Sequence, residues 1–328
     1  MSSPATVDSE FSYELRVCRW AELAWPPGRD ETTDATHIVA RQLGTRQRRW
    51  DTVLIECDPD AVAARAAFGD AELDADLLHV VRNAPAEWQW YRDVLPKPDY
   101  PWRYVREAVH RAADRGVVET RREGNRIELK RIAAYPDWVN RLIAIENKPD
   151  LDAAAADRLA DQLTHDIETG LADEVWVATA ETGATVEPAL LEALPVEAGI
   201  LMTDFSDGVG DGAVSVAWHP TAVTPTHDDT YRNSRQLELA ERAYGRGWRD
   251  YRATMRPDCR HFQLRRDGQL VEPWCAAKGC RQTAAECRGS CSAFEPEPPA
   301  WRRKGWPIAG GPGAGIRRLL DRRADRER

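Results

Sequence analysis

The first hundred residues alternate between helical and strand patterns. Apolar residues recur at helical spacing through residues 11–25, and Pro26 and Pro27 end that predicted helix. HIVARQLG and RWDTVLIEC follow, and their β-branched and aliphatic residues predict two strands. Residues 60–95 are rich in Ala and Leu, which indicates a mainly helical segment.

The middle of the chain has the pattern of an α/β fold. WVNRLIAIEN, at residues 138–147, predicts an apolar strand, LDAAAADRLADQLTHDIETGLA a long helix, and DEVWVATA a buried strand. Strands joined through a helix in this way usually pair in parallel. PVEAGILMTD predicts a further strand, and residues 233–255 a helix. We therefore predict the α/β class, with a mixed sheet flanked by helices.

Residues 99–133 have the pattern of a separate module. A predicted helix begins near Pro101 and ends at Gly116. Its apolar residues fall on one face, namely Val105, Ala108, Val109 and Ala112. VVETRREGNRIELKRI then predicts a hairpin around Glu-Gly-Asn. A helix followed directly by a basic hairpin is the second half of a winged helix, so we expect an inserted winged-helix module at residues 99–133.

The same module is locally basic, which favours contact with DNA. A winged helix places one helix in the major groove and its hairpin against the phosphates. The residues predicted to bind DNA are Arg103, Arg106, Arg121, Arg122 and Arg126. The alternative is a module for protein contacts, in which these arginines pair with nearby Glu and Asp.

The net charge and the ratio of Lys to Arg indicate the cellular environment of the protein. The 328 residues carry a formal net charge of −9, and only 5 of the 45 basic residues are Lys. An acidic, Arg-rich surface suits a high-salt cytoplasm, although a GC-rich genome would also replace Lys by Arg. No apolar run approaches the roughly 20 residues that span a bilayer, and the start of the chain lacks the order of a signal peptide. We expect a soluble cytoplasmic protein without membrane partners.

Glu146 and Lys148 are the strongest candidates for catalytic residues in the sequence. They stand two residues apart at the end of a hydrophobic strand, so they should project from one face. Cleavage of phosphodiesters with a divalent ion needs carboxylates to hold that ion and a cation to neutralise developing charge. Further carboxylates could come from Asp51, Asp137 or Glu14.

In these residues the chain resembles the PD-(D/E)XK nuclease superfamily, especially its RecB-like and restriction-enzyme branches. The resemblance covers about residues 10–205 and is carried by Glu14 on the first helix, Asp51 at a strand start, Glu146-Asn147-Lys148 at a strand end, and Gln162 on the next helix. It implies that Asp51 and Glu146 bind Mg²⁺ or Mn²⁺. It further implies that Lys148 assists the attacking water and that Glu14 and Gln162 support the site. The segment also resembles a family of haloarchaeal proteins.

The sequence departs from the superfamily pattern in two places. Asp51 and Glu146 are 95 positions apart, which requires the winged helix to be an insertion. Asp137, in a literal Pro-Asp pair close to Glu146, is the alternative ligand, and we favour Asp51 because it begins a clear strand. Gln162 is followed four residues later by Asp166, where the RecB-like motif has Tyr.

Five cysteines cluster near the C-terminus, in a chain without a secretion signal. They are Cys259, Cys275, Cys280, Cys287 and Cys291. Thiolate ligation of Zn²⁺ or of an iron–sulfur cluster such as [4Fe–4S] accounts for them better than disulfides do. Cys18 is a candidate upstream ligand, but its apolar helix face favours core packing.

These observations predict a domain order and three competing functions. The predicted regions are a nuclease-like core (10–98 and 134–205), the winged helix (99–133), a helical extension (206–255), a Cys-rich metal-binding segment (256–295) and a Pro/Gly-rich, charged tail (296–328). The favoured function is Mg²⁺-dependent hydrolysis of DNA, in repair or defence. The alternatives are an inactive DNA-binding or regulatory protein on the same scaffold, and a metal-stabilised interaction protein. The oligomeric state stays open, with a homodimer as one option.

Overall fold

A mixed β-sheet flanked by helices forms the centre of the protein. The structure is a computed structural model that describes residues 10–27, 36–97, 100–151, 153–180, 193–210, 212–221, 223, 229–250, 259, 261–267, 270–282 and 291–295. Within these residues the helices are α1 (Glu10–Ala24), α2 (Pro59–Arg65), a 3₁₀ turn (Ala66–Phe68), α3 (Ala75–Asn83), α4 (Tyr91–Val94), α5 (Trp102–Asp114), α6 (Ala153–Thr169) and α7 (Asp229–Arg246).

The central sheet confirms the predicted strand–helix–strand unit. In spatial order its described strands are β1 (Thr36–Gly44), β2 (Arg49–Cys57), β6 (Val139–Asn147), β7 (Glu174–Ala180), β8 (Gly199–Thr203) and β9 (Val214–Trp218). β1, β2 and β6 pair antiparallel, whereas β6, β7 and β8 pair parallel. β6 is apolar from Leu142 to Ile145 because both of its faces are covered.

Two apolar layers enclose this sheet. On one face, α1 packs on residues such as Leu54, Ile143 and Ile145. On the other face, side chains of α6 and α7 pack with Leu142 and Ala144. The alternation of β6 therefore divides its side chains between two cores, and polar side chains that follow the strand reach the sheet's edge.

A second, three-stranded sheet corrects the expected boundaries of the inserted module. It has the order β3 (Gln89–Trp90), β5 (Arg126–Arg131) and β4 (Val118–Glu123), and α3 packs against α5. The predicted apolar face of α5 and the predicted hairpin turn are confirmed. The elements that pack together therefore begin with α3, near residue 75, because α3 packs against α5 and β3 pairs with β5 although both precede residue 99.

The predicted helical extension at 206–255 was wrong in part. Val214–Trp218 forms β9 and completes the central sheet, and α7 buries Leu237, Leu239 and Ala240 in the main core. Part of the Cys-rich segment forms a third sheet of β10 (Phe262–Asp267), β11 (Leu270–Cys275) and β12 (Cys280–Arg281). The predicted tail, 296–328, lies outside the described residues. In the described part of the chain, no helix is long and apolar enough to cross a membrane.

A fully buried ion pair ties α7 to the segment that follows β2. Arg65 and Glu241 are both inaccessible to solvent, and Arg65 Nε lies 2.5 Å from Glu241 Oε1. Tyr135 Oη donates to the same carboxylate oxygen at 2.6 Å, and the Leu73 amide donates to the other at 2.7 Å. The carboxylate is therefore saturated with donors, which offsets the cost of its burial.

Breaking this pair should destabilise the protein strongly. We expect Arg65→Met to lower the free energy of unfolding by about 3–5 kcal/mol, because it leaves the Glu241 charge buried without its partner. The double substitution Arg65→Met/Glu241→Gln should recover part of that loss. Urea denaturation of the three proteins measures both effects, and a loss below about 1 kcal/mol for Arg65→Met would contradict the assignment.

Candidate functional site

Strand register brings two of the predicted acidic residues together. Thr52 of β2 pairs with Ile145 of β6, so Asp51 comes next to Glu146. Asp51 Oδ2 also accepts a hydrogen bond from the Asn147 amide at 3.0 Å. The carboxylate of Asp51 thus lies against the strand end that carries Glu146, although 95 positions separate the two residues.

Gln42 links Asp51 to the carboxylate of Glu14. Its Nε2 donates to Glu14 Oε1 at 2.8 Å and to Asp51 Oδ1 at 3.0 Å. Gln42 also has a φ of 52°, the left-handed region, which no other non-glycine residue adopts in the described chain. Backbone strain of this kind costs of order 1–3 kcal/mol and concentrates at functional sites. Gln42 is therefore the residue of β1 that adopts this conformation and also connects Glu14 of α1 to Asp51 of β2.

Arg48 forms ion pairs with two carboxylates, those of Glu146 and Asp166. Its Nη2 lies 2.6 Å from Glu146 Oε1, and its Nε lies 3.0 Å from Asp166 Oδ1. Glu146 and Asp166 are 3% and 1% exposed. A buried pair of carboxylates shares one guanidinium, which carries a single positive charge.

The site therefore holds more negative charge than its cations offset. Burial raises the pKa of Glu146 to about 8, reinforced by the nearby charge of Asp51 and opposed by Arg48. Burial raises the pKa of Glu14 to about 7, against the effect of Arg41. It also raises the pKa of Asp166, which Arg48 opposes. Carboxylates crowded in this way bind protons or a cation readily.

Lys148 lies at the site but is not the main partner of Glu146. Its Nζ is 3.6 Å from Glu10 Oε1 at the start of α1, and its charge helps to lower the pKa of Glu146. The expected pairing of a carboxylate with an ammonium group gives way to a pairing with the Arg48 guanidinium. The physical reason is that β6 ends at Asn147, so Lys148 no longer follows the strand's alternation.

Two predicted residues lie away from the carboxylates. Asp137 is exposed and precedes β6, whereas Glu146 is near the strand's end, so nine residues of strand, roughly 30 Å, separate them. The literal Pro-Asp pair is therefore wrong as a source of the acidic ligand. Gln162 is exposed on α6, and Asp166, one helical turn later, is the α6 residue that reaches the site.

Gln42, Arg41, Arg48 and Asp166 are site residues that the sequence did not identify. Asp166 carried a signal, because it occupies the position at which the chain departs from the RecB-like pattern. Arg48 stands directly before β2, but only the bend between β1 and β2 aims it at Glu146. Nothing in the sequence indicated the left-handed conformation of Gln42.

The predicted DNA-binding arginines divide between two settings. Arg103, Arg106 and Arg122 line a groove of about 940 Å³ that also includes Tyr104 and His110. The other two predicted residues are engaged within the protein. Arg121 pairs with Glu128 at 2.8 Å, and the Arg126 guanidinium lies 4.8 Å from the ring centre of Trp90.

The described cysteines of the C-terminal cluster flank the third sheet. Cys259 and Cys275 are buried, whereas Cys280 and Cys291 are partly exposed. Cys275 pairs with Cys280 across the β11–β12 hairpin, and Gly279 (φ 67°) closes its turn. Cys287 lies outside the described residues. Cys18 is buried in α1 beside Thr52, where burial raises its thiol pKa, so it packs in the core.

The donor chemistry of the carboxylate site fits Mg²⁺ or Mn²⁺, with one condition. Glu14, Asp51 and Glu146 offer the oxygen ligands that these ions prefer. In the described part of the chain, however, no three or more His, Cys, Asp or Glu side chains are grouped closely enough to hold a metal as they stand. Arg48 occupies the position beside Glu146 that a cation would take, so binding requires its displacement.

These features define an α/β protein with a buried acidic site at the end of its central strands. The chain belongs to the family described as "Family of unknown function (DUF5787)", whose model matches residues 38–296. Comparison with curated proteins and with solved structures returned no match. The family match includes Asp51, Glu146 and the five clustered cysteines, whereas Glu14 precedes it.

Replacing Glu146 by Gln should reveal the charge crowding as a stability change. The raised pKa means that stability from this group is fully present below about pH 4.5 and is lost as the pH rises to about 8. Glu146→Gln mimics the protonated side chain. We therefore expect it to match the wild type at pH 5 and to exceed it by roughly 1–3 kcal/mol at pH 9 without divalent ions.

Urea denaturation at both pH values in a chelating buffer measures this difference. The exposed Glu87, changed to Gln, serves as the control and should show no such dependence on pH. If the free energies of unfolding of the wild type and of Glu146→Gln differ by the same amount at pH 5 and at pH 9, the crowding of negative charge around Glu146 does not affect stability.

Proposed function

We propose that this protein is a divalent-metal-dependent nuclease of the PD-(D/E)XK type that hydrolyses DNA. The observation that carries the proposal is the convergence of Glu14, Asp51 and Glu146 from α1, β2 and β6. Those residues were singled out by their order along the chain, and their order alone does not require them to meet. The register that joins β2 to β6 across the inserted module is what brings them together.

The arrangement of elements gives further support. Helix α1, strands β1, β2 and β6, helix α6 and strand β7 follow one another in the order that the superfamily resemblance implies. The inserted module lies between β2 and β6, which accounts for their long separation. The candidate site thus stands where strand ends of an α/β sheet commonly carry ligands.

The residues of the chain would divide the chemistry among them. Asp51 and Glu146 would hold the ion, with Glu14 as a supporting ligand. A divalent ion bound there would lower the pKa of water and offset the charge that develops on the phosphate. Lys148, at the open end of β6, would hold the attacking water in line. Arg48, once displaced from Glu146, could pair with the phosphate that enters the site.

The α3–α5 module would supply a second contact with DNA as a winged helix. Its elements follow the order helix, strand, helix, helix and hairpin. Arg103, Arg106 and His110 share the exposed face of α5 beside the hairpin residue Arg122. That face would meet the phosphate backbone, which positions a duplex without reading its sequence.

One observation favours a second candidate, a DNA-binding protein that has lost catalysis on this scaffold. Arg48 covers both Glu146 and Asp166, and it supplies internally the positive charge that an active site obtains from a metal. In this alternative the carboxylates contribute to stability, and the groove lined by Arg103, Arg106 and Arg122 binds the DNA.

Cleavage assays separate these two candidates. We expect the full-length protein to nick plasmid or cut single-stranded DNA with Mg²⁺ or Mn²⁺ at high salt, and to be inactive in EDTA. Lys148→Ala and Glu146→Gln should each lower the rate by roughly 100-fold or more, because each removes a group that acts at the reacting phosphate. Lys97→Ala, the same substitution at an exposed lysine in the segment between α4 and α5, should leave the rate unchanged.

Activity that survives in both site variants at the wild-type rate would exclude this site as its source. Absence of metal-dependent cleavage in the wild type, with DNA binding intact, would favour the inactive scaffold.

We further propose a thiolate metal centre at Cys259, Cys275, Cys280, Cys287 and Cys291. The support is the crowding of five of the seven cysteines into residues 259–291, together with the β11–β12 hairpin, whose two paired cysteines can present thiolates from one turn. Anaerobically purified protein should contain about one zinc, or iron with sulfide, per chain by elemental analysis, and iron–sulfur would add visible absorption. Cys275→Ser should abolish that content, whereas Cys18→Ser should retain it. Metal-free wild-type protein would refute the centre.

A further inference from the structure

A second groove adjoins the carboxylate site on the other side of Arg48. It has a volume of about 750 Å³ and lies between the β1–β2 turn, α6 and α7. Its polar and charged lining residues include Thr45, Arg46, Gln47, Arg48, His165, Asp166, Thr169, Tyr231, Arg232, Arg235, Glu238 and Arg242. The winged-helix groove shares none of these residues.

The groove is positively charged although the chain is acidic. Five arginines and two carboxylates line it, whereas the whole chain carries −9. Three of these arginines already pair with carboxylates: Arg48 with Glu146 and Asp166, Arg232 with Asp173, and Arg235 with Glu238. Arg46 and Arg242 are left without a carboxylate partner among the described residues. Local excess of positive charge attracts polyanions and raises their concentration at the surface.

Two of these arginines have hydrogen-bonding groups to offer. Arg46 is exposed, and no carboxylate pairs with it in the described chain. Arg242 donates from Nη1 to the Gly44 carbonyl at 2.6 Å, and the described residues place no carboxylate within ion-pair distance of it. Burial and the neighbouring Arg246 hold the pKa of Arg242 below its ordinary value, against the opposing charges of Glu72 and Glu238.

Arg48 connects this groove to the candidate active site. The same guanidinium that lines the groove lies 2.6 Å from Glu146 Oε1. A chain of phosphates lying along the arginines would therefore reach the carboxylates through Arg48.

An aromatic ring stands at the groove. Tyr231 is 51% exposed, and the Arg235 guanidinium lies 5.4 Å from its ring centre. Exposed aromatic rings beside arginines are the platform on which proteins stack unpaired bases.

We propose that this groove binds single-stranded nucleic acid and leads its phosphates to the carboxylate site. Arg46 and Arg242 hold the backbone, and a base stacks on Tyr231. The identity of the groove as a substrate path rests on the proposed nuclease function, whereas the binding of a single strand can be tested without it.

Binding is measured by fluorescence anisotropy of a labelled single-stranded oligonucleotide on the full-length protein in EDTA. We expect Arg46→Gln/Arg242→Gln to weaken binding by at least tenfold and to flatten the salt dependence, log K against log[salt], by about 1.4 for two lost phosphate contacts. Tyr231→Ala should weaken binding severalfold without changing that slope. The exposed Arg46→Gln alone should give half of the slope change, with no effect on thermal unfolding.

Arg82→Gln, at an exposed position of α3, removes one positive charge as Arg46→Gln does; it is the control for that variant and should bind as the wild type. Groove variants that match this control in affinity and slope would overturn the inference. So would a duplex of the same sequence that binds more tightly than the single strand and responds only to Arg103→Gln/Arg106→Gln.

The outcome for the proposed function is read separately. Groove-dependent binding without metal-dependent cleavage would sustain the groove and reject the nuclease. Metal-dependent cleavage that is unaffected in Arg46→Gln/Arg242→Gln would sustain the nuclease and reject the groove.

Discussion

Negative charge held at the end of a buried strand pair is the constraint on which the rest of the site depends. Glu14, Glu146 and Asp166 are nearly inaccessible, and Asp51 stands among them. Carboxylates in such surroundings ionise only if cations or donors compensate them. The guanidinium of Arg48 and the amide of Gln42 serve this role, and each bridges two acids that come from distant parts of the chain. The proposed chemistry is an exchange of that internal cation for an external one.

Much of the fold was predictable, because its central strands are marked by continuous apolar runs and its long helix by clear periodicity. Asp51 and Glu146 were singled out together only through the superfamily resemblance, and the antiparallel register of β2 and β6 that brings them side by side was not predicted. The contacts of Arg48 did not follow, because they depend on the bend between β1 and β2 and cross 98 and 118 positions. The alternative ligand, Asp137 in the literal Pro-Asp pair, stands at the opposite end of β6, which agrees with the preference for Asp51 at a strand start. The predicted boundaries of the inserted module, 99–133, differ from the structure because the short strand β3, which precedes residue 99, pairs with β5.

Two basic grooves on an acidic protein indicate how such a chain could engage nucleic acid. In high salt, long-range attraction is screened within a few ångströms, so net charge has little influence on encounter. Contacts at short range then decide binding, and arginine suits them because its planar guanidinium binds phosphates through two hydrogen bonds. The near absence of lysine in this chain agrees with that setting.

The buried pair of Arg65 and Glu241 has a consequence for how a ligand could enter. Helix α7 forms one wall of the arginine-lined groove, and this pair anchors that helix to the protein interior. Helix α7 cannot move away from the protein interior without breaking this ion pair and leaving a charge without its partner. The groove would therefore have its shape before a ligand binds. The loss of conformational entropy on binding would then come from the flexible ligand and not from the protein.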